Sequence, residues 1–169
     1  MLYKLSKRTY LFLLLALLST NTIAARVVNE EIALIISEHS GSVTKKHALQ
    51  LTIKQLQALP QLEIKTQTRW TQGEKRFKGP LLRDVLALSA KKARYITAVA
   101  INGYRVDIPS QDYLNIDVIL ALTQADKPLT LRTKGPIWII YPWSARPELE
   151  QGAYYSRAVW QLSTLEIYE

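Results

Sequence analysis

The sequence predicts an α+β fold, mostly β, in which mixed sheets are joined by short helices. Three observations carry this. Short apolar runs recur along the chain and are bounded by Gly, Pro and Asn, the pattern of buried strands. Two strand-like runs, Tyr95 to Ile101 and Tyr104 to Ile108, flank Asn102-Gly103, the strongest short hairpin signal. Clear helical start signals occur at only two places, both in the first half of the chain.

Taken in order, the chain opens on Lys4, Lys7 and Arg8, then the apolar run Tyr10 to Leu18, then small and polar residues to Thr22-Ile23-Ala24. This is the anatomy of a cleavable secretory signal peptide, residues 1–24, and the apolar run is too short to span a bilayer. A single domain over 25–169 is expected after it, in the periplasm. Ile32 to Ser37 reads as the first buried strand, His39 to Ser42 as a turn, and Leu49 to Leu51 as a short strand. Thr52 is placed to cap a helix from Ile53 to Leu59, closed by Pro60. Leu62, Ile64, Thr66 and Thr68 alternate with charged and polar residues, which is strand periodicity. Trp70 to Gly79 reads as a charged loop containing Phe77. Gly79-Pro80 is expected to open a second helix with proline in its first turn, with Leu81, Leu82, Val85, Leu86 and Leu88 inward and Lys91-Lys92 near its end.

After the hairpin, Pro109 to Asp112 starts a turn or short helix, and Asp117 to Thr123 is another apolar run. Ala125 to Pro128 is a turn leading into Leu129 to Arg132. The stretch from Thr130 to Trp143 concentrates the chain's chemistry. Arg132 and Lys134 approach Gly135-Pro136, Ile137 to Ile140 form a continuous apolar strand, and Tyr141-Pro142-Trp143 come next. Pro147 to Ser156 reads as irregular. Val159 to Tyr168 is the last strand, with Trp160, Leu162, Leu165 and Ile167 as core candidates.

Composition narrows the function. The chain has 22 Lys and Arg against 14 Asp and Glu, a net charge of +8 that falls to +5 once the signal residues are removed. The excess is scattered, as on a solvated surface, so nucleic acid is not an expected partner, while a small anionic ligand or anionic head groups suit it. There is no cysteine, hence no disulfide, no thiolate nucleophile and no thiolate metal ligand. The two histidines, His39 and His47, lack metal-motif spacing. Asp107, Asp112 and Asp117 flank turns, where Asp commonly bonds nearby backbone.

Five collinear segments carry a family resemblance: Leu51 to Pro60, Phe77 to Leu86, Asn102 to Pro109, Ile119 to Leu122 with Lys127 to Leu129, and Gly135 to Pro142 with Trp160 to Leu162. Together they resemble the oxidoreductase molybdopterin-binding domain, the sulfite-oxidase fold, in its small exported form. The resemblance implies molybdopterin as a cofactor. It also implies a molybdenum-ligating cysteine between the first two segments, in Gln61 to Lys78, and here that interval has none. No molybdenum is therefore expected, and the resemblance does not bring catalysis with it. No catalytic or metal residue is assigned.

On the segments that correspond to the family's cofactor cleft, Arg69, Arg132, Lys134 and Arg157 are the expected anion-binding residues, because guanidinium and ammonium groups suit phosphate and carboxylate. Tyr104, Tyr141, Trp143 and Tyr154 are candidate flat walls for a ring ligand. Arg132 and Lys134 are expected to face the same cleft as Tyr141 and Trp143. Three functions are compatible with these residues: an exported ligand-binding or accessory protein serving a membrane-bound signalling or redox partner, a molybdopterin-dependent oxidoreductase, and a protein interaction module using Trp143 to Tyr155.

Overall fold

The computed structural model describes residues 31–40, 43–89 and 93–168. The signal segment, Gly41-Ser42 of the first turn and Lys91-Lys92 lie outside the described residues, as does the His47 side chain. Strands form three sheets, and the short helices sit between or beside them.

The first sheet has the order β2-β1-β11-β5-β6. Its strands are β1 (Ile32–Ser40), β2 (Val43–Thr52), β5 (Tyr95–Ala100), β6 (Arg105–Pro109) and β11 (Leu162–Tyr168). β1 and β11 run parallel, from Ile35 opposite Thr164 to His39 opposite Tyr168, and the other pairs are antiparallel. The sheet is therefore mixed, and Leu34, Ile36, Ile96, Ala98, Leu165 and Ile167 bury one face. A four-stranded sheet has the order β3-β4-β8-β9, with β3 (Gln61–Gln67), β4 (Glu74–Pro80), β8 (Thr123–Gln124) and β9 (Lys127–Pro128). β7 (Ile119–Ala121) pairs with β10 (Trp138–Ile140) as a third sheet. Ile137 to Tyr141 are all 0% exposed, so the central apolar run is the buried strand its composition indicates.

The first helix, α1 (Ile53–Ala58), begins at Thr52 as expected. The Thr52 hydroxyl accepts from the Gln55 N–H, and the Gln55 side chain accepts from the Thr52 N–H, a reciprocal capping box. The second helix is shorter and starts later than expected. Pro80 ends β4, and α2 spans only Leu82–Leu86, with Leu82, Val85 and Leu86 inward. Pro80 is thus a strand terminus and not a first-turn proline.

β4 corrects the reading of Trp70 to Gly79 as a loop. Its alternation rests on one large apolar side chain, Phe77, and on Gly79, whose missing side chain leaves room for the neighbouring strand. A Cβ at Gly79 would lie 1.9 Å from the Leu120 carbonyl oxygen. The expected hairpin is present, but Gly103 alone in it takes a positive φ, 84°. Its N–H donates to Ala100 O at 3.0 Å, and Ala100 N–H donates to Tyr104 O at 2.9 Å, so the loop has three residues closed by a left-handed glycine. The two-residue turn with both φ positive lies elsewhere, at Ala125 (48°) and Asp126 (63°) between β8 and β9.

Two further segments differ from expectation. Leu131–Thr133 is a 3₁₀ turn, and the span read as irregular contains a second 3₁₀ turn, Pro147–Leu149, and a helix, α4 (Gly152–Arg157). α4 buries none of its residues fully, so it has no apolar period to read. The remaining helix, α3 (Ser110–Asn115), buries Asp112 and Tyr113. Trp160 precedes the last strand, half-buried, bridging to Trp138. No helix among the described residues is long and apolar enough to cross a membrane.

Candidate functional site

Three segments far apart in sequence meet around one cleft of about 360 Å³. The first is the turn after β3. Ser144 clamps the strand's end: its Oγ accepts from the Gln67 N–H at 2.9 Å, and its own N–H donates to Thr66 Oγ1 at 3.0 Å. The Thr68 hydroxyl, buried, then accepts from the Trp70 N–H at 3.2 Å and bonds Thr71 Oγ1 at 2.9 Å. These side-chain to backbone bonds fix a tight turn that sets Arg69 and Trp70 at the cleft. The second segment is the β5–β6 hairpin tip, giving Ala100, Asn102 and Tyr104. The third is the end of α4 with the residues just beyond it, giving Tyr155, Ser156, Ala158, Val159 and Trp160. The Tyr104 hydroxyl donates to Ser156 O at 3.0 Å and ties the hairpin to α4.

A cluster of rings backs this cleft. Trp70 meets Trp160, Trp138 and Tyr155 edge-on, with centroids 5.3, 5.9 and 6.0 Å apart. Tyr155 is held between two planes. Trp143 stacks on one side at 5.3 Å and 13°, and the Arg69 guanidinium lies over the ring at 3.7 Å. Lys134, whose φ of 71° is left-handed, places its ammonium 4.4 Å from the Trp160 centroid. Such cation–ring contacts orient the cations while leaving their N–H groups free to donate.

Behind the rings lies a buried polar group. Asp112 is 5% exposed, and its Oδ2 accepts from Tyr141 Oη at 2.9 Å and from Arg157 Nη1 at 3.1 Å. Burial pushes the Tyr141 phenol well above its usual range, and the Asp112 charge and hydrogen bond add to this. Tyr154 packs edge-on against Tyr141 at 5.5 Å and lies under Arg157 at 5.6 Å.

The expected site residues therefore divide. Arg69 and Tyr104 line the cleft, and Lys134 sits over one of its wall residues. Arg157 is committed to Asp112, and Arg132 is exposed on the 3₁₀ turn, outside the lining. Tyr141 and Trp143 are 0% and 1% exposed and cannot be the walls a ligand touches. This corrects the expectation that they share an open face with Arg132 and Lys134. The physical reason is α4, whose Tyr155 and Tyr154 cover them. The Trp143 Nε1 has no hydrogen-bond partner among the described residues.

Sequence reasoning missed Trp70, Asn102, Tyr155 and Trp160. Trp70 was within reach, since it directly succeeds Arg69 in the interval where the resemblance places the metal ligand. The aspartates also differ from expectation. Asp107 accepts from Thr97 Oγ1 at 2.6 Å, and Asp117 pairs with Arg83 at 2.7 Å, so they bond side chains and not local backbone. His39 stacks on Tyr168 at 4.8 Å, 3.9 Å from Glu166. Among the described residues no group of three or more His, Asp or Glu is arranged to hold a metal ion.

The model of the oxidoreductase molybdopterin binding domain matches residues 29–146. The chain belongs to this family. Twenty-eight solved chains match this fold. They include the sulfane dehydrogenase SoxCD from Paracoccus pantotrophus, at a TM-score of 0.59 and 19% identity over 80% of this chain. The match covers 37% of the SoxCD chain, so at this identity it establishes the shared fold. No curated protein matches the sequence. The chain is thus an oxidoreductase-like molybdopterin-binding domain of sulfite-oxidase fold.

The cleft's residues can be tested against that family's cofactor. The interval Gln61 to Lys78 forms β3, the turn and β4, and it sends Arg69 and Trp70 to the cleft. Its buried hydroxyls are already hydrogen-bonded, Thr66 to Ser144 and Thr68 within the turn. The sequence holds no thiolate, and among the described residues of the lining there is no carboxylate or imidazole. Hard, neutral oxygens do not replace a soft sulfur ligand. These residues do not fit molybdenum. They do fit a flat organic anion, with aromatic and aliphatic walls and a cation at the rim.

Proposed function

We propose that this molybdopterin-binding domain is an exported accessory protein that binds a small, flat, anionic or pterin-like ligand and does not perform molybdenum redox chemistry. Residues 1–24 serve as a cleaved signal peptide, residues 25–169 act as one periplasmic domain, and a membrane-bound signalling or redox protein is the partner. The observation that carries the proposal is the state of Arg69. Its guanidinium rests on Tyr155 at the mouth of a largely apolar cleft, and no carboxylate among the described residues pairs with it. Ordinary surface arginines lose little by being unpaired. One pinned on a ring beside an aromatic cleft is oriented to receive an anion.

The test uses protein purified from the periplasm. Its metal content, its intact mass, and its thermal stability with pterin-6-carboxylate, GMP and FMN are measured. The expected result is an N-terminus near Ala25, molybdenum far below one equivalent, and a rise in melting temperature with at least one ligand. A ligand at a hundred times its Kd stabilises by about 2.7 kcal/mol, which is readily seen. Molybdenum near one equivalent would return the domain to the oxidoreductases. No shift with any ligand would remove the cleft from consideration.

A further inference from the structure

We infer that the cleft selects a planar aromatic carboxylate over a phosphorylated ligand, an inference that rests on the ligand-binding reading above. The hydrogen-bonding groups of the lining set this preference. Arg69 and the indole N–H groups of Trp70 and Trp160 can only donate. None of the three has a hydrogen-bond partner among the described residues. Asn102 uses its Oδ1 to accept from the Tyr104 N–H at 3.0 Å, which leaves its amide N–H groups to donate. The Tyr104 and Ser156 hydroxyls give their protons to Ser156 O and Ala153 O, so toward the cleft these two can only accept. Among the described residues of the lining, side-chain donors still outnumber acceptors, and none carries a negative charge. That favours an anion.

The kind of anion is set by how the charge is held. Among the described residues of the lining, Arg69 is the single cation. Its guanidinium lies flat on Tyr155, which Trp143 supports from behind. Its free edge presents paired N–H groups in one plane, the geometry that matches the two oxygens of a carboxylate. A phosphate monoester carries about two charges and three terminal oxygens near neutral pH. Here it would meet one full positive charge, and the carbonyl end of α4 lies beside it, since Tyr155 and Ser156 form that helix's last turn. Lys134 does not lie in the lining; it is held over Trp160 and Trp138. The volume, about 360 Å³, lies at the small end of ligand clefts and suits a body of one or two fused rings.

Three probes share one body and differ only in the head group: naphthalene-2-carboxylate, naphthalene-2-carboxamide and 2-naphthyl phosphate. Their affinities for the wild-type protein are measured at pH 7.5 by calorimetry, and again for Arg69→Gln and Arg69→Lys. Arg69 is exposed and its contact with Tyr155 contributes little to stability at such a site, so both variants should fold and melt within a few degrees of the wild type. The carboxylate is expected to bind about tenfold to a hundredfold more tightly than the carboxamide, the range of a charged hydrogen bond. The phosphate should bind no better than the carboxylate. Arg69→Gln should remove the preference for carboxylate while leaving the carboxamide within about threefold of wild type, and Arg69→Lys should restore only part of it. If 2-naphthyl phosphate binds more tightly than the carboxylate, the proposed class is wrong while the ligand-binding reading stands. If the carboxamide matches the carboxylate, Arg69 does not select charge and the inference fails. If none of the three binds, both readings fall.

Discussion

Asp112 offers a quantitative test of how the cleft wall is held. Asp112→Ala leaves the Tyr141 hydroxyl, on a residue 0% exposed, without its acceptor, and leaves Arg157 without its carboxylate. An unsatisfied buried hydroxyl costs about 1–3 kcal/mol. Breaking a buried ion pair costs about 3–5 kcal/mol. The Arg157 side chain is 23% exposed and can regain part of its hydration, so the lower end of that range applies, about 3 kcal/mol. Urea unfolding monitored by tryptophan fluorescence reads this directly, because Trp70, Trp138 and Trp160 contact one another and Trp143 joins them through Tyr155. With a slope of about 2 kcal/mol/M, the midpoint should fall by about 1.5 M. Asp112→Asn keeps an acceptor for Tyr141 and should lose about half as much. Arg157 is the last residue of α4, so both variants should also weaken ligand binding through Tyr155. If Asp112→Ala unfolds within about 1 kcal/mol of wild type, the Asp112 contacts do not hold α4 and the reasoning is refuted.

Other outcomes can be checked with the same assay. Gly79→Ala puts a methyl group 1.9 Å from the Leu120 carbonyl oxygen and should destabilise by at least about 2 kcal/mol, as backbone must move; an unchanged midpoint would mean that β4 and β7 do not approach as described. Gly103→Val meets no atom within 4 Å, but φ is 84°, so its cost is conformational, about 1–2 kcal/mol. The phenols of Tyr141, Tyr113 and Tyr168 are all raised, first by burial. Each then holds its proton in the folded state at a pH where the unfolded chain has lost it. Their contribution is fully present below about pH 10 and is lost as pH rises beyond it. Stability measured from pH 8 to 11 should therefore fall at the alkaline end, and Tyr141→Phe should flatten that fall; a parallel decline in the variant would assign it to other groups.

Several features were legible in the sequence because their causes are local. The Thr52 cap with Gln55 three residues on, the glycine-closed hairpin at Gly103, and the buried run Ile137 to Ile140 each depend on residues adjacent in the chain. The family could be read the same way, from the order of short segments, and the lack of a thiolate ligand is a consequence of the absence of cysteine alone. β4 was not legible, because its inward face alternates Phe77 with a glycine whose purpose is to admit Leu120 from another strand. Nor was α4, which buries nothing fully and is held by Asp112, Trp143 and Tyr104 from three other parts of the chain.

The same distinction governs the site. Residue type and the family resemblance together marked Arg69, Arg157, Tyr141 and Trp143 as candidate ligand-binding residues, but which of them meets a ligand depends on what covers them. Tyr155 lies between Arg69 and Trp143, putting one at the cleft and the other in the core. Residue type and spacing determined the fold class, the order of motifs the family resemblance, and the absence of cysteine the lack of a metal thiolate, since these are properties of short segments. Burial decided the cleft, and burial is a sum over contacts between segments separated by up to 90 positions, from Trp70 to Trp160.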